Sequence, residues 1–288
     1  MPKGQQHILF DILVSLPTYD GSVVAQLRAD IPKFSQLFYH LNFELQVVDV
    51  RATEGDVMVE GELHAKTINI ITTDGEVSGQ FWADDSIHLG TSEAGISANI
   101  RLTNEGSRPT SAVLNTSNGV IVTRWLLSSI VNPSSPSYPG YNGNFVIHST
   151  TSNALAYHTF EYAPINPNII FETHTSNAST SVTMWRTMEG PFEMHGDIGV
   201  PLVETHLRAV DDPMQLGRDP VLKLLGFSRD MLEGFFHWRQ SSSAGGRYGD
   251  VEEAINAGPI PRALTSVSNI SSRFRIFSEQ GKPMLNFV

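Results

Sequence analysis

The chain has 288 residues, of which 17% are charged, with 30 acidic against 19 basic side chains and a formal charge of −11. That length can bury a large core in one or two domains. The acidic balance, with no Lys/Arg run to reverse it locally, argues against binding to nucleic acid or to an anionic membrane. Cysteine is absent, which excludes disulfides, thiolate metal sites and a cysteine nucleophile.

The first segment, MPKGQQHILFDILVSLP, lacks the layout of a signal peptide, and no apolar run approaches the roughly 18 residues of a membrane span. A soluble cytoplasmic protein is the simplest expectation, with unconventional secretion left open. Residues 8–16 read as an apolar strand. Asp30-Ile31-Pro32 then has the look of a helix start, and Ile31, Phe34, Leu37, Phe38 and Leu41 come after it at helical spacing. This predicts a short helix over 31–41 that caps one open end of a stack of repeats.

From about residue 45 the chain repeats one phrase. Ile68–Phe81 reads INIITTDGEVSGQF, and nineteen residues later Ile87–Ile100 reads IHLGTSEAGISANI. Val48–Gly61, Ala112–Trp125, Ile147–Phe160 and Phe171–Met184 carry the same phrase with drift, each centred on a small polar cluster such as Thr116-Ser117-Asn118. Self-similarity at a fixed short period means a stack of equivalent units. Before each cluster the apolar residues alternate on one parity, and after it on the other. Period two predicts strands, and the parity change predicts a corner that returns both halves to one core. Hydroxyls at the corners can bond between neighbouring coils.

Asn132–Asn144, with three prolines, two glycines and two tyrosines, reads as a loop projecting from the stack. Val221–Trp238 fits either two strands bent at Ser228-Arg229-Asp230 or one amphipathic helix. Ser241–Asp250 reads as a linker, and Leu264–Val288 as two more strands that close the stack. The expected organisation is one structural domain in three parts: 1–44 as N-terminal strand and capping helix, 45–240 as repeats, and 241–288 as linker and closing strands.

The repeated TSN clusters, FETHTSNASTSVTMWRTMEGPFEMHGDIG and DDPMQLGRDPVLKLLGFSRDMLEGFFHW resemble uncharacterised proteins of mushroom-forming fungi (basidiomycete TSN-repeat proteins). In those proteins TSN phrases precede a D-P-x-G-x-G-R turn, a strand ending before S-R-G, and a G-x-x-x-W strand. This chain has Asp212-Pro213, Gly217-Arg218, Ser228-Arg229, Gly234 and Trp238, with Asp230 where the glycine is usual. The resemblance covers roughly 45–240. It implies a right-handed β-solenoid, similar to adhesin-like domains of bacteria, and it carries over no catalytic residue. The expected fold is all-β, with six or seven stacked coils of about 20–25 residues.

Candidate chemistry is sparse. His148, His158, His174, His195 and His206 fall in the second half of the repeats, but without HxH or HExxH spacing no metal site and no cofactor is expected. Asp84-Asp85 and Asp211-Asp212 are paired carboxylates whose members point to opposite faces if they lie on strands. The tryptophans Trp82, Trp125, Trp185 and Trp238 either plug the core or offer rings to a sugar. Three readings fit these residues. The first is a non-enzymatic binder of carbohydrate or a small molecule, lectin-like or adhesin-like, using Trp125, Tyr138, Tyr141 and Asn144 around the main loop. The second is an enzyme on a glycan or small metabolite, with carboxylates and histidines from adjacent coils. The third is a self-assembling, homo-oligomeric protein.

Overall fold

The computed structural model describes residues 24–39, 44–130, 140–196, 202–205, 211–228, 230–240, 252–253 and 272–287. These are all-β, in one mostly parallel sheet system that is not closed, with no helix among them. The repeat-like stack is consistent with a β-solenoid. Each coil is a strand, a corner and a second strand. In spatial order the first coils are β1 (Val24–Asp30) with β2 (Gln36–Phe38), then β3 (Leu45–Arg51) with the first half of β4 (Val57–Ile71). The second half of β4 precedes the first half of β5 (Val77–Gly90), and the second half of β5 precedes β6 (Ile96–Asn104). Next come β7 (Thr110–Asn115) with β8 (Ile121–Ser129), β9 (Asn144–Thr151) with β10 (Ala156–Tyr162), and β11 (Asn168–Thr175) with β12 (Thr180–Met184). Strands before the corners form face A of the stack, and strands after them form face B.

The stack then departs from chain order. The strands laid on β11 and β12 are β18 (Arg273–Ser278) and β19 (Pro283–Phe287). β13 (Gly190–Gly196) and β14 (Leu202–Thr205) lie beyond them. β13 then pairs antiparallel with β16 (Met231–Gln240), which pairs with β15 (Arg218–Phe227); β17 (Glu252–Glu253) flanks β15. The segment 264–288 therefore does supply two strands over its described part, but inside the stack rather than at its end. The coils named above also exceed the six or seven expected.

The core lies between the two faces. On face A one inward row runs Val50, Ile70, Leu89, Leu114, Ser149, Thr173, Ile276, Met194. On face B another runs Leu63, Phe81, Ile100, Trp125, Phe160. All are buried. Strict alternation puts each such row on one side of its strand, and every apolar side chain fully buried contributes roughly 1.5–3 kcal/mol.

The corners are built by threonine. Thr72, Thr91, Thr116 and Thr151 are buried, and their hydroxyls donate to Gly55 O (3.3 Å), Gly75 O (3.0 Å), Ala94 O (2.9 Å) and Gly119 O (3.1 Å) of the coil before. Within its own coil each of the first three hydroxyls also accepts an N–H, from Gly75, Ala94 and Gly119 respectively. One hydroxyl thus satisfies two corner groups that a buried bend would otherwise orphan. A Cβ at Gly75 or Gly119 would collide with the carbonyl of the corner below, so close stacking requires glycine there.

The predicted helix over 31–41 is not formed in its described part. Residues 31–35 are the first corner, with Thr53 N–H donating to Pro32 O at 2.8 Å, and 36–38 are a strand paired with Val57–Val59. Ile31, Phe34 and Leu37 are exposed there rather than gathered on a core-facing helical side. Val221–Trp238 resolves as the two-strand alternative, bent between Phe227 and Met231. The turn before it is clamped by Asp212. Its carboxylate accepts the N–H groups of Met214 (3.0 Å), Leu216 (2.7 Å) and Arg218 (3.1 Å), and the Arg218 guanidinium at 2.9 Å. Burial opposes ionisation of Asp212, but Arg218 and the three N–H groups outweigh it and hold the carboxyl well below its usual range. Arg218 also reaches Glu189 at 3.4 Å; burial raises the pKa of Glu189 despite the N–H of Trp238 and the charge of Arg218.

Candidate functional site

Two outward faces carry the chemistry. On face A a row in register reads Arg28, Asp49, Asn69, His88, Val113, His148, Glu172, Arg275, Glu193. It is tied from coil to coil: Asn69 donates to Asp49 (2.8 Å), His148 meets Glu172 (3.4 Å), and Arg275 meets Glu172 (3.2 Å) and Glu193 (3.4 Å). His195 holds Glu193 at 2.6 Å. Burial opposes ionisation of Glu193, but His195, Arg273 and Arg275 outweigh it and lower its pKa. The acidic groups of this row are neutralised by neighbours on an open surface, so the row reads as a lattice between coils. Among the described residues no group of three or more His, Asp or Glu side chains could hold a metal ion.

Face B is more apolar on its outer side. β10 alternates Ala156, His158 and Phe160 inward with Tyr157 and Thr159 outward, and a register shift after Phe160 brings Tyr162 outward as well. Tyr157 is 44% and Tyr162 42% exposed. Val122 of β8 lies beside Tyr157, at 44% exposed, and Trp185 packs on Tyr162 with ring centres 5.4 Å apart. In register between them run Gln80, Asn99, Arg124, Thr159 and Thr183. Arg124 is braced by Glu161 at 3.4 Å. The two tyrosines are about 15 Å apart along the strand, with neighbouring coils about 4.8 Å to either side. The surface is thus a stretch of exposed rings edged by amides, hydroxyls and a guanidinium.

Further along face B, Trp82 is sandwiched between His64, stacked at 4.0 Å, and Arg101 at 4.7 Å. Its indole N–H donates to Asp84 Oδ1 (2.9 Å) and Thr103 Oγ1 (2.8 Å), and Asp84 Oδ2 also meets His64 Nε2 at 2.8 Å. Both ring faces are covered, so this cluster is a joint between coils. It uses Asp84 and leaves Asp85 exposed, as the opposite faces of adjacent residues require. Asp212 and Asp211 divide in the same way, into a clamp and an exposed neighbour.

Of the residues expected around the main loop, Trp125, Tyr141 and Asn144 are among the described ones. Trp125 is fully buried between Ile100 and Phe160, its ring 6.1 Å from that of Phe160; a ring there is closed to a ligand. Its parity with Ile121 and Thr123 is the signal for an inward position. Tyr138 lies outside the described residues. Tyr141 is exposed, on a segment returned to the stack by Asn142 N–H to Ile165 O (2.7 Å). Asn144 is occupied structurally: its N–H donates to Asn104 Oδ1 (3.2 Å), its amide to Ser107 O (3.2 Å), and its Oδ1 accepts from Asn168 (3.0 Å). Trp238 is buried with its indole N–H on Arg186 O at 2.8 Å.

Of the five histidines in the second half of the repeats, His148, His174 and His195 share face A, and His206 lies outside the described residues. His158 points into the core, between Thr123 Oγ1 (2.7 Å) and Thr173 Oγ1 (3.2 Å). Burial lowers its pKa to about 3. The asparagines of the corner clusters stay outside, where Asn118 donates to Glu93 (2.7 Å), Asn153 to Asn118 (2.6 Å), and Asn177 to Asn153. The corners are thus threonine inside and an amide ladder outside. Comparison with protein-family models, with curated proteins and with solved structures found no match. No helix of the described residues is long and apolar enough to cross a membrane.

Proposed function

We propose that the protein is a non-enzymatic carbohydrate-binding protein of lectin or adhesin type, a right-handed β-solenoid, which is the hand that parallel crossovers take, with its site on face B around β8, β10 and β12. The observation that carries this reading is the pair of exposed tyrosines on β10, Tyr157 and Tyr162, the second packed by Trp185, with Arg124, Thr159 and Thr183 in register between them. A pyranose offers an apolar face to a ring and hydroxyls to amides and guanidinium groups, and a ring held on a strand contributes area at small conformational cost. Repetition at about 4.8 Å along the stack suits an extended glycan better than a compact metabolite. An enzyme would gather two titratable groups in a water-excluding cleft; among the described residues the face A carboxylates are paired with neighbours on the surface, and the less exposed pairs His64–Asp84 and Arg218–Asp212 serve as joints of the fold.

The test is a glycan array with the labelled protein, repeated with Tyr157→Ala/Tyr162→Ala. Selective, saturable binding that the double variant loses, with its melting temperature nearly unchanged, supports the site. Binding that survives this variant but is lost with Tyr141→Ala moves the site to the loop. An array blank at all concentrations overturns the carbohydrate reading.

A further inference from the structure

Residues 272–287 form a complete coil that belongs to the stack by pattern but not by chain order. β12 leads through Trp185–Glu189 directly to β13, yet β13 does not lie on β11. The connection straddles one coil height, and β18 with β19 fills the gap: β18 lies between β11 and β13, and β19 between β12 and β14. A gap of this kind has two facing rows of backbone N–H and C=O groups, each of which needs a partner when buried. An extended segment that supplies both ladders is recognised as a strand added to a sheet edge is, by main-chain bonds for affinity and alternate side chains for register.

The side chains specify this occupant. Phe274, Ile276, Leu285 and Phe287 enter the core rows. Ser278 Oγ donates to Ala178 O (2.5 Å), as the corner threonines do to the coil below, and a Cβ at Gly281 would collide with that carbonyl. Ser272 Oγ donates to Pro167 O (2.5 Å) and accepts the N–H of Ile169 (3.1 Å). On face A, Arg275 stands between Glu172 (3.2 Å) and Glu193 (3.4 Å), and Phe277 between His174 (ring centres 6.0 Å) and His195 (4.9 Å). Without the inserted coil, two carboxylates would face one another across the gap.

We propose that this coil is transferable: the slot between β11 with β12 and β13 with β14 also accepts residues 272–287 of a second copy of the chain, giving strand-exchanged dimers. Every pairing the coil makes is with a distant segment, so the contacts are identical whichever copy supplies it. Residues 254–271 separate it from β17, and such a stretch reaches as far as roughly 60 Å when extended. That is ample for a neighbouring molecule.

The cysteine-free chain allows a direct test. Thr183 and Asn286 face outward in register across the slot, with Asn286 donating to Thr183 at 3.4 Å. Full-length Thr183→Cys and Asn286→Cys chains are unfolded together, refolded, and treated with a short bismaleimide. The expected product is a covalent heterodimer whose yield rises with chain concentration during refolding. A Met58→Cys chain with Asn286→Cys should not give it. The doubly substituted Thr183→Cys/Asn286→Cys chain must link within itself, which shows that the coil is seated. Adding Arg275→Glu to the donor should abolish the heterodimer, and Glu172→Lys/Glu193→Lys in the acceptor should restore it; rescue separates lost recognition from lost folding. Linkage within the double variant with no heterodimer at any concentration would overturn the proposal, as would a heterodimer indifferent to both charge changes.

Discussion

His158 makes stability depend on pH in a way that a single substitution can isolate. Its imidazole is buried on the inward side of face B, with Thr123 and Thr173 as its partners and a pKa lowered to about 3 by burial. Unfolded, the same group takes up a proton near pH 6.5. Between these values the unfolded chain binds a proton that the native chain refuses, so stability falls as pH drops through 6.5 and goes on falling until about pH 3. At pH 5 the unfolded group lies 1.5 units below its pKa, which at 1.36 kcal/mol per unit is a loss of about 2 kcal/mol. His158→Gln keeps a side chain that can donate to one hydroxyl and accept from the other but does not titrate. Urea unfolding of both proteins at pH 7 and pH 5 gives the comparison, and the other histidines cancel in the difference. The stability gap between wild type and variant should shrink by about 2 kcal/mol on going to pH 5. A constant gap would mean that His158 is reached by water or protonated in the fold, and the argument from burial would fail.

Trp125→Ala should cost about 3–5 kcal/mol by cavity formation. Trp125→Phe should cost much less, because the indole N–H has no partner in the core; glycan binding should survive Trp125→Phe on the array. Asp212→Ala should cost about 1–3 kcal/mol, since three N–H groups lose their acceptor and Arg218 keeps only Glu189 as an acidic partner, read by urea denaturation. Because the Asp212 carboxyl is held well below its usual range, its stabilisation is present above about pH 4 and is lost only as pH falls through the depressed native value. Wild type and Asp212→Ala should therefore converge only in strong acid. Gly119→Ala should be strongly destabilising, since its Cβ meets the Ala94 carbonyl, whereas Gly106→Ala meets nothing and should be neutral; paired thermal melts decide it.

Much of this arrangement is legible in the sequence. The phrase repeated at nineteen residues, the parity change at each cluster and the hydroxyls at the corners lead to stacked coils with Thr72, Thr91 and Thr116 bonding downward. The helix expected over 31–41 failed for a local reason. Ile31, Phe34 and Leu37 have helical spacing, but a corner joined to a short strand produces the same spacing without a common face. The exposed rings of face B were also within reach. Tyr157 has the parity opposite to Ala156 and His158, which sets it outward. Tyr162 was not, since it depends on a register shift after Phe160.

The position of 272–287 could not be read along the chain, because parallel pairing fixes neighbours in space and leaves no trace in sequence separation. What the sequence does hold is complementarity. Glu172 and Glu193 occupy equivalent places on face A, and coils in direct succession there would set like charges about 4.8 Å apart. Arg275 at the same place in a third coil removes that repulsion and is held from both sides. On the neighbouring row Phe277 does the same between two histidines, each of which also holds a carboxylate of its own, His174 on Glu279 and His195 on Glu193. Two adjacent rows thus select the same occupant by different chemistry, charge in one and ring packing in the other. A slip of the insert to the slot between β9 and β11 would keep Glu172 and His174 but lose Glu193 and His195 as partners, and this favours the observed order of the stack where chain connectivity does not.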